Sequence, residues 1–472
     1  MYMEMTKTPG FLKEFAVPFT IKNLSLIVIF SLLFFLMGVS GLQLQSAQTG
    51  VSSIWPASGL TFACLLIFGF RLWPGVLAGM LLLGFYTGLP FQVAIISGIA
   101  AILETVIPLS IARKFGFTGR LDSLHEALIF ATIVTLGPII SALIGSTSMY
   151  FFSEAATLPS LSVMMLWWLG NSIGILLFGG MILSICTGVS NGLFFNHFWE
   201  KISLILAALL ICTLAFLQSS GIESTLFIKF IIPLTMIGAI RFGSFGAFSS
   251  PLIATIVLLS ISSNLPDNLF EHAPFGYLYL ILVELWFVSI SGLIMAGAFH
   301  DRSSQSQMKW LAHHDTLTQL ANRNVLEQET IHALQGMRRM DQGLCLLFID
   351  LDQLKSVNDQ LGHKEGDRLL VSTAKLLVKQ VRSRDIVARW GGDEFIILLR
   401  NCDLVEAQHI AEKIIISVHE LSSLFKGKKF KISMSIGVTN ALKDDSHESL
   451  IERADKACYT AKNTGKDKVI VI

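Results

Sequence analysis

The sequence predicts a multi-domain protein, an all-α polytopic membrane part followed by an α/β domain, and three observations predict it. Charge divides sharply near residue 300, because residues 1–300 hold only 10 of the 35 Lys and Arg and 11 of the 34 Asp and Glu. Ten apolar runs of spanning length or slightly less fill that first part. Beyond it, strand-like and helix-like patterns alternate in the manner of an α/β sandwich. A length of 472 residues leaves room for two or three domains.

The apolar runs lie near 24–41, 56–70, 73–88, 91–112, 125–150, 163–186, 201–218, 226–240, 244–262 and 276–298. Loop charge gives an independent check, since Lys and Arg stay on the cytoplasmic side. Lys7, Lys13 and Lys22 precede the first run, and Arg71, then Arg113, Lys114 and Arg120, then Lys201, Arg241 and Arg302 all fall on that same side. The alternate loops near 42–55, 89–90, 151–162, 219–225 and 263–275 contain no Lys or Arg. Both termini are therefore expected in the cytoplasm. Ten spans are the expectation; eight, with 56–70 and 73–88 as the weakest runs, would keep both ends inside as well. The first run is long and lacks a small-residue cleavage site, so it is expected to remain as an anchor.

Six cysteines without CxxC spacing support neither zinc nor a disulfide framework. A net charge of +1 argues against a nucleic-acid surface, and Lys426, Lys428 and Lys429 read as a solvated turn. Trp55-Pro56 and Trp73-Pro74 read as helix starts, with proline in the first turn and tryptophan at the interface. Glu104, Glu284 and Lys229 are the ionisable groups inside spans. Such groups mark ligand sites by default, but Lys229 can snorkel and either glutamate can simply bond across helices.

Residues 299–312 contain no proline or glycine, which favours a continuous helix leaving the membrane. The expected division is a cytoplasmic segment 1–22, a membrane domain 23–298, a helical stalk 299–314 and an α/β domain 315–472. In that last part the patterns give strand 343–349, helix 352–382, strands 386–391 and 394–400, helix 404–424, strand 430–438, helix 447–462 and strand 468–472.

Two stretches of the α/β part carry chemistry. In Arg389-Trp390-Gly391-Gly392-Asp393-Glu394-Phe395 a glycine pair and two acids form the tip of a hairpin between apolar strands. Glycines there let a phosphate or ribose touch backbone, and adjacent acids can hold a divalent cation. About forty residues upstream, strand 343–349 runs into Asp350-Leu351-Asp352-Gln353-Leu354-Lys355, then Asn358-Asp359 and Gly362-His363-Lys364-Glu365-Gly366-Asp367. Asp350 can ligate a cation, Asp352 is expected as a helix N-cap, and the helix amides with Lys355 favour phosphate.

With these motifs stand Asp315-Thr-Leu-Thr-x-Leu-x-Asn-Arg323 and Ala454-Asp455-Lys456-Ala457-x-Tyr459-x-Ala461-Lys462. On them, residues of about 305–472 resemble the GGDEF family of diguanylate cyclases, whose fold is like nucleotidyl cyclase and polymerase palm domains. Trp55-Pro56-Ala57-Ser58-Gly59, Leu72-Trp73-Pro74-Gly75, Trp167-Trp168-Leu169-Gly170-Asn171 and Ile240-Arg241-Phe242-Gly243 resemble the MASE1 family of bacterial membrane sensors, covering roughly 20–300. That family often has an acid where this chain has Asn171.

The resemblance implies condensation of two GTP into cyclic di-GMP and two pyrophosphates by a homodimer at the bacterial inner membrane. It assigns Mg²⁺ or Mn²⁺ to Asp350, the Leu351 carbonyl, Asp393 and Glu394, with Glu394 or another acid as base. Lys355, Lys462 and Lys466 face the triphosphate, Lys466 standing where arginine is common, and Leu354 stands for a common phenylalanine. Gly391 and Gly392 lie under the substrate, and Asn358 and Asp367 read guanine. His363 faces substrate or solvent. Arg382 and Asp385 match an RxxD inhibitory site for product. Membrane lipid surrounds the sensor, and no nucleic acid is expected. The rival readings are a catalytically silent receptor for cyclic di-GMP, against which the intact acids speak, and a transporter with a regulatory tail, against which the scarcity of intramembrane charge speaks.

Overall fold

The computed structural model describes residues 20–43, 51–152, 161–190, 195–217, 229–262, 276–340, 343–421 and 432–472. Lys7, Lys13, the Lys426 cluster and most of the basic-free loops lie outside these residues. The chain divides into two compact units, Met1–Ser303 and Ser304–Ile472.

In the first unit the apolar runs are helices: α1 (Ile21–Leu42), α2 (Pro56–Phe68), α3 (Trp73–Thr87), α4 (Phe91–Lys114), α5 (Leu124–Phe152), α6 (Leu161–Ser190), α7 (Phe198–Leu217), α8 (Ile231–Phe242), α9 (Ser244–Ser262) and α10 (Gly276–His313). Among the described residues, α1, α4, α5, α6, α10 and the stretch Phe70–Thr87 are long and apolar enough to cross a membrane, whereas α2, α8 and Ser244–Val257 are shorter. Trp55 and Pro56 do start α2, and α3 begins at Trp73. Between these helices Gly69 takes φ 89°, and the Arg71 Nε donates to the Phe68 carbonyl at 3.0 Å, so one basic loop residue also caps a helix end.

The interior is apolar and aromatic, with Phe62, Phe130 and Phe248 in contact at ring distances of 5.5 and 6.2 Å. Outward faces are apolar too: Leu32, Leu36, Leu136, Leu143 and Leu210 are exposed, as suits a surface meeting lipid. A π-helical segment, Gly174–Gly179, interrupts α6 where α2 lies against it. A Cβ on Gly59 of α2 would sit 2.1 Å from the Gly174 carbonyl, so glycine is what permits that contact. Glu284 is exposed on α10 and Lys229 on a turn before α8, while Glu104 does bond across helices.

The second unit is a five-stranded sheet, ordered β2-β3-β1-β4-β5, with helices on both faces. Its elements are α11 (Arg323–Met340), β1 (Leu344–Asp352), α12 (Leu354–Leu361), α13 (His363–Gln380), β2 (Ile386–Gly391), β3 (Glu394–Arg400), α14 (Leu404–Leu421), β4 (Ser433–Asn440), α15 (His447–Asn463) and β5 (Lys468–Val471). Only β4 and β5 pair in parallel. Odd-numbered residues of β1 pack with α13 and α14, and even-numbered ones with α11 and α15.

Three expectations are corrected here. The helix expected over 352–382 is two helices, since Gly362 at φ 88° ends α12 and begins α13. Asp352 is no N-cap: β1 runs on to include it, and Gln353, at φ 67°, precedes α12 without a side-chain cap. Helix α11, left out of the expected order, covers the α15 face of the sheet, and Asn322 caps its start by accepting the Val325 N–H at 3.1 Å.

Candidate active site

The site grows from the end of β1. All nine residues of this strand are buried, and its last even-numbered side chains, Asp350 and Asp352, emerge on the α15 face. Asp350 lies in register opposite Glu394 at the start of β3, and the Leu351 N–H donates to the Asp393 carbonyl at 3.0 Å. Three acids thus meet where the hairpin tip is pinned to the central strand.

Helix α15 brings the counter-charge. Gly437 of β4 lets it lie close, because a Cβ there would sit 2.2 Å from the Ala454 carbonyl, and one turn beyond Cys458 the Lys462 Nζ stands 2.6 Å from Asp350 Oδ2. Burial pushes the Asp350 carboxyl above its ordinary range, with the Asp393 charge adding to the push and Lys462 opposing it. Glu394 is raised as well, by burial and then by Asp350. Lys462 itself is raised, its bond to Asp350 outweighing desolvation.

The tip Gly392-Asp393 turns with Gly392 at φ 52°, in the left-handed region. A Cβ on Gly391 or Gly392 would meet no atom within 4 Å, so packing does not ask for a glycine at 391. Arg389 holds the turn from inside: its Nε and Nη2 donate to the Gly392 carbonyl at 3.1 and 2.8 Å, and its Nη1 donates to both Asp315 oxygens at 3.0 and 3.2 Å. Burial works to raise the Asp315 carboxyl, but bonds from Thr318 and Arg389 outweigh it and hold the group low. Sequence reading quoted both residues and missed this clamp, which spans 74 positions.

A second group gathers at the α12–α13 junction. A Cβ on Gly366 would fall 1.8 Å from Asn358 Oδ1, so the Asn358 amide packs directly on the first turn of α13, beside exposed His363 and Asp367. Lys355 is exposed in the first turn of α12. Lys466 is exposed in the turn after α15 at φ 61°. Among the described residues no hydrogen bond or ion pair joins Asn358, Asp367, Lys355 or Lys466 to the acids. Asp352 accepts from Ser433 Oγ at 2.9 Å and Ser435 Oγ at 3.1 Å, and more weakly from the Asp467 N–H at 3.4 Å.

Arg382 and Asp385 form one turn before β2. Asp385 accepts the backbone N–H of Arg382 at 2.9 Å and of Arg400 at 3.1 Å, and the Arg382 guanidinium is paired with Glu406 of α14.

Comparison with known proteins adds the lineage. The family model described as "Diguanylate cyclase, GGDEF domain" matches residues 312–468, and the MASE1 model matches 24–303. "Probable diguanylate cyclase DgcE" of Escherichia coli (strain K12) is 38% identical over 183 residues, 38% of this chain and 16% of that protein. "Diguanylate cyclase A" of Treponema denticola is 36% identical over 170 residues, 35% of this chain and 46% of that protein. The chain therefore spans less than half the length of either relative. A solved GGDEF domain of PA1120 (TpbB or YfiN) from Pseudomonas aeruginosa is 36% identical, covering 34% of this chain and 94% of that one with a TM-score of 0.32. Since one family model takes in more than half of the chain and the other takes in the sheet that carries the acids, this protein belongs to the MASE1 family and joins its multi-pass membrane domain to a GGDEF domain.

Proposed function

We propose that this protein is a membrane-bound diguanylate cyclase that joins two GTP head to tail into cyclic di-GMP with release of two pyrophosphates. The observation that carries the reading is the Asp350–Glu394 pair, two acids in cross-strand register, both raised by burial and by charge, with Lys462 as the one cation bonded to them among the described residues. Such a pair suits a hard divalent cation. Asp350, Asp393, Glu394 and the Leu351 carbonyl would hold Mg²⁺ or Mn²⁺. Among the described residues no group of three or more His, Cys, Asp or Glu is disposed to hold a metal by itself, so water and substrate phosphates would have to complete the shell around the ion. A divalent cation held there would supply acidification of the ribose 3′-hydroxyl and offset charge on the attacked phosphate.

The chain's own groups do the remaining work. Glu394 or another of these acids accepts the 3′-hydroxyl proton. Lys355, the first-turn amides of α12, Lys462 and Lys466 neutralise the triphosphate. Gly391 and Gly392 leave open space for the substrate to lie against backbone. Asn358 and Asp367 select guanine, because a carboxylate accepts from its N1–H and N2–H while adenine offers no such pair. His363 borders the same pocket. Arg382 and Asp385 bind product as an inhibitor. The GGDEF domain and both termini lie on the cytoplasmic side of the bacterial inner membrane, the chain crosses that membrane ten or eight times, and two chains supply one GTP each.

The test is direct. Full-length protein in lipid nanodiscs is given GTP and Mg²⁺, and products are resolved by mass spectrometry. Asp393→Ala and Glu394→Ala should each lower synthesis by about 100-fold or more while the domain stays folded, and Asp367→Ser should narrow the preference for GTP over ATP. Wild-type turnover in both alanine variants would overturn the assignment of the acids, and binding of cyclic di-GMP without synthesis would favour the receptor reading.

A further inference from the structure

One acid in the membrane unit is completely enclosed. Glu104, midway along α4, is 0% exposed, and polar side chains from three other helices converge on it. Ser58 of α2 donates to Oε1 at 2.5 Å, Asn171 of α6 donates to Oε2 at 2.9 Å, and Ser141 of α5 donates to Oε2 as well. Asn171 also donates to Ser141 Oγ at 2.9 Å. All three partners are buried and none is charged.

The titratable groups of the surrounding helices lie elsewhere along them. On α4 these are Arg113 and Lys114, at nine and ten residues' distance about 14 Å away along the axis. Helix α2 has Cys64, α3 has Tyr86, α6 has Cys186, and α5 has His125, Glu126 and Tyr150. Glu126 is engaged by Thr118 and Gly119, and Arg113 lies over the Phe70 ring. No ion pair to Glu104 occurs among the described residues. An uncompensated buried carboxylate in such surroundings is costly, so the site is built around a carboxyl able to take a proton.

Both protonation states can be satisfied in place. Ionised, the carboxylate accepts from Ser58, Ser141 and Asn171. Protonated, it needs one acceptor, and a serine hydroxyl can supply one by rotating. Ser141 already has a second acceptor for its own proton, since its Oγ lies 3.1 Å from the Pro138 carbonyl. Taking up a proton therefore turns Glu104 into a donor to Ser141, and Ser141 into a donor to Pro138.

That reversal occurs beside Pro138, inside the continuous helix α5, at a point already tied to α10. Pro138 has no N–H to give the Val134 carbonyl. Ser172 Oγ takes over that role at 2.8 Å, and the Trp286 indole of α10 donates to the same Ser172 Oγ at 2.7 Å. Ser172 follows Asn171 in the chain, and both stand at the head of the π-helical segment. Trp168, one turn earlier, donates to the Thr135 carbonyl at 2.7 Å and meets Trp286 at a ring distance of 6.0 Å.

We propose that Glu104, Ser58, Ser141 and Asn171 form a proton-binding site in the membrane core, and that its occupancy is relayed through Ser172 and Trp286 to α10, making synthesis depend on proton uptake. The rate part rests on the proposed cyclase activity; the binding part does not.

The experiment uses the full chain in nanodiscs and reads infrared difference spectra between acidic and alkaline buffer in the carbonyl region of protonated carboxyls. Wild type should show a band that titrates between about pH 4 and 10, Glu104→Gln should lose it, and Glu284→Gln should keep it. Ser141→Ala, which retains the acid, should move the midpoint by about one pH unit. In parallel, the pH profile of synthesis should differ between wild type and Glu104→Gln by about fivefold or more at one end of the range, and Trp286→Phe should keep the band but lose that difference. A band that survives Glu104→Gln, or a midpoint unmoved in Ser141→Ala, overturns the site. Superimposable rate profiles with the band behaving as stated overturn the relay. Absence of synthesis in every sample, with the band behaving as stated, sinks the cyclase reading and leaves the proton site standing.

Discussion

Asp350 and Glu394 face each other at one end of the β1–β3 register, and their raised carboxyls mean that the folded domain resists giving up their protons. A carboxyl whose folded pKa stands above its unfolded value contributes stability that is complete below the unfolded value and is lost as pH rises through the folded one. For Glu394 the loss begins near the ordinary glutamate value of about 4.3 and continues up to the raised folded value. Glu394→Gln removes this loss. At neutral pH the variant should melt about 1–3 °C above wild type, with the gap closing near pH 4, while Mg²⁺ should raise the wild-type midpoint more than that of the variant. Calorimetry of the unit 304–472 at both pH values checks this, and a gap independent of pH would refute the electrostatic account. The acids themselves were legible because a strand ending in Asp and a Gly-Gly-Asp-Glu tip are local patterns. Asp352 was not, since Ser433 and Ser435, which occupy its carboxylate, lie 81 and 83 residues away and no cap rule reaches so far.

At the scale of elements, what could be read was what short-range chemistry decides. The bounds of β2 and β3 follow from a two-residue glycine turn between apolar runs, whereas the break between α12 and α13 at Gly362 is hidden by a helix-like pattern on either side. Helix α11 is marked by the Asn322 cap and by Leu326, Ala333, Leu334 and Met337, which recur at helical spacing and pack against the sheet, so its pattern stood in the sequence. The turn joining α13 to β2 carries a consequence of the same kind. The family resemblance implies Arg382 and Asp385 as product ligands, but the fold commits the Arg382 guanidinium to Glu406 and both Asp385 oxygens to backbone amides. Product bound there would have to compete with Glu406 for the arginine. Arg382→Ala should raise the concentration of cyclic di-GMP needed for half-inhibition by about 10-fold or more, and Glu406→Gln, which frees the arginine, should lower it. Initial rates against added product measure both. A shift in the same direction for the two variants would mean that Glu406 supports the product site and does not compete for it.

At the scale of the whole molecule, ten apolar runs were legible as ten helices, but hydropathy could not say which are full spans, because short helices such as α2 and α8 are as apolar as long ones. The continuity of α10 was legible from the lack of glycine or proline after Gly297, and it is this helix that leads from the membrane domain to the stalk. If each GGDEF domain offers one GTP and the reaction needs two facing each other, activity depends on how two domains are presented, and a rigid helix makes that presentation a matter of its rotation. Membrane anchoring would then raise the effective concentration of two such copies, and a rigid helix would set their phase. The fragment 301–472 should accordingly be mostly monomeric and weakly active when dilute, with specific activity that climbs with concentration. A parallel coiled coil fused to its N-terminus should restore activity in some registers and not in others. In the full chain, inserting one to seven residues after Phe299 turns the domain by about 100° per residue, so synthesis should fall with two insertions, recover near four, and fall and recover again near seven. Rates of cyclic di-GMP formation across that series measure the phase directly. Activity that ignores both dilution and register would mean that α10 only tethers the enzyme, and that a proton taken up beside Glu104 has no mechanical route to it.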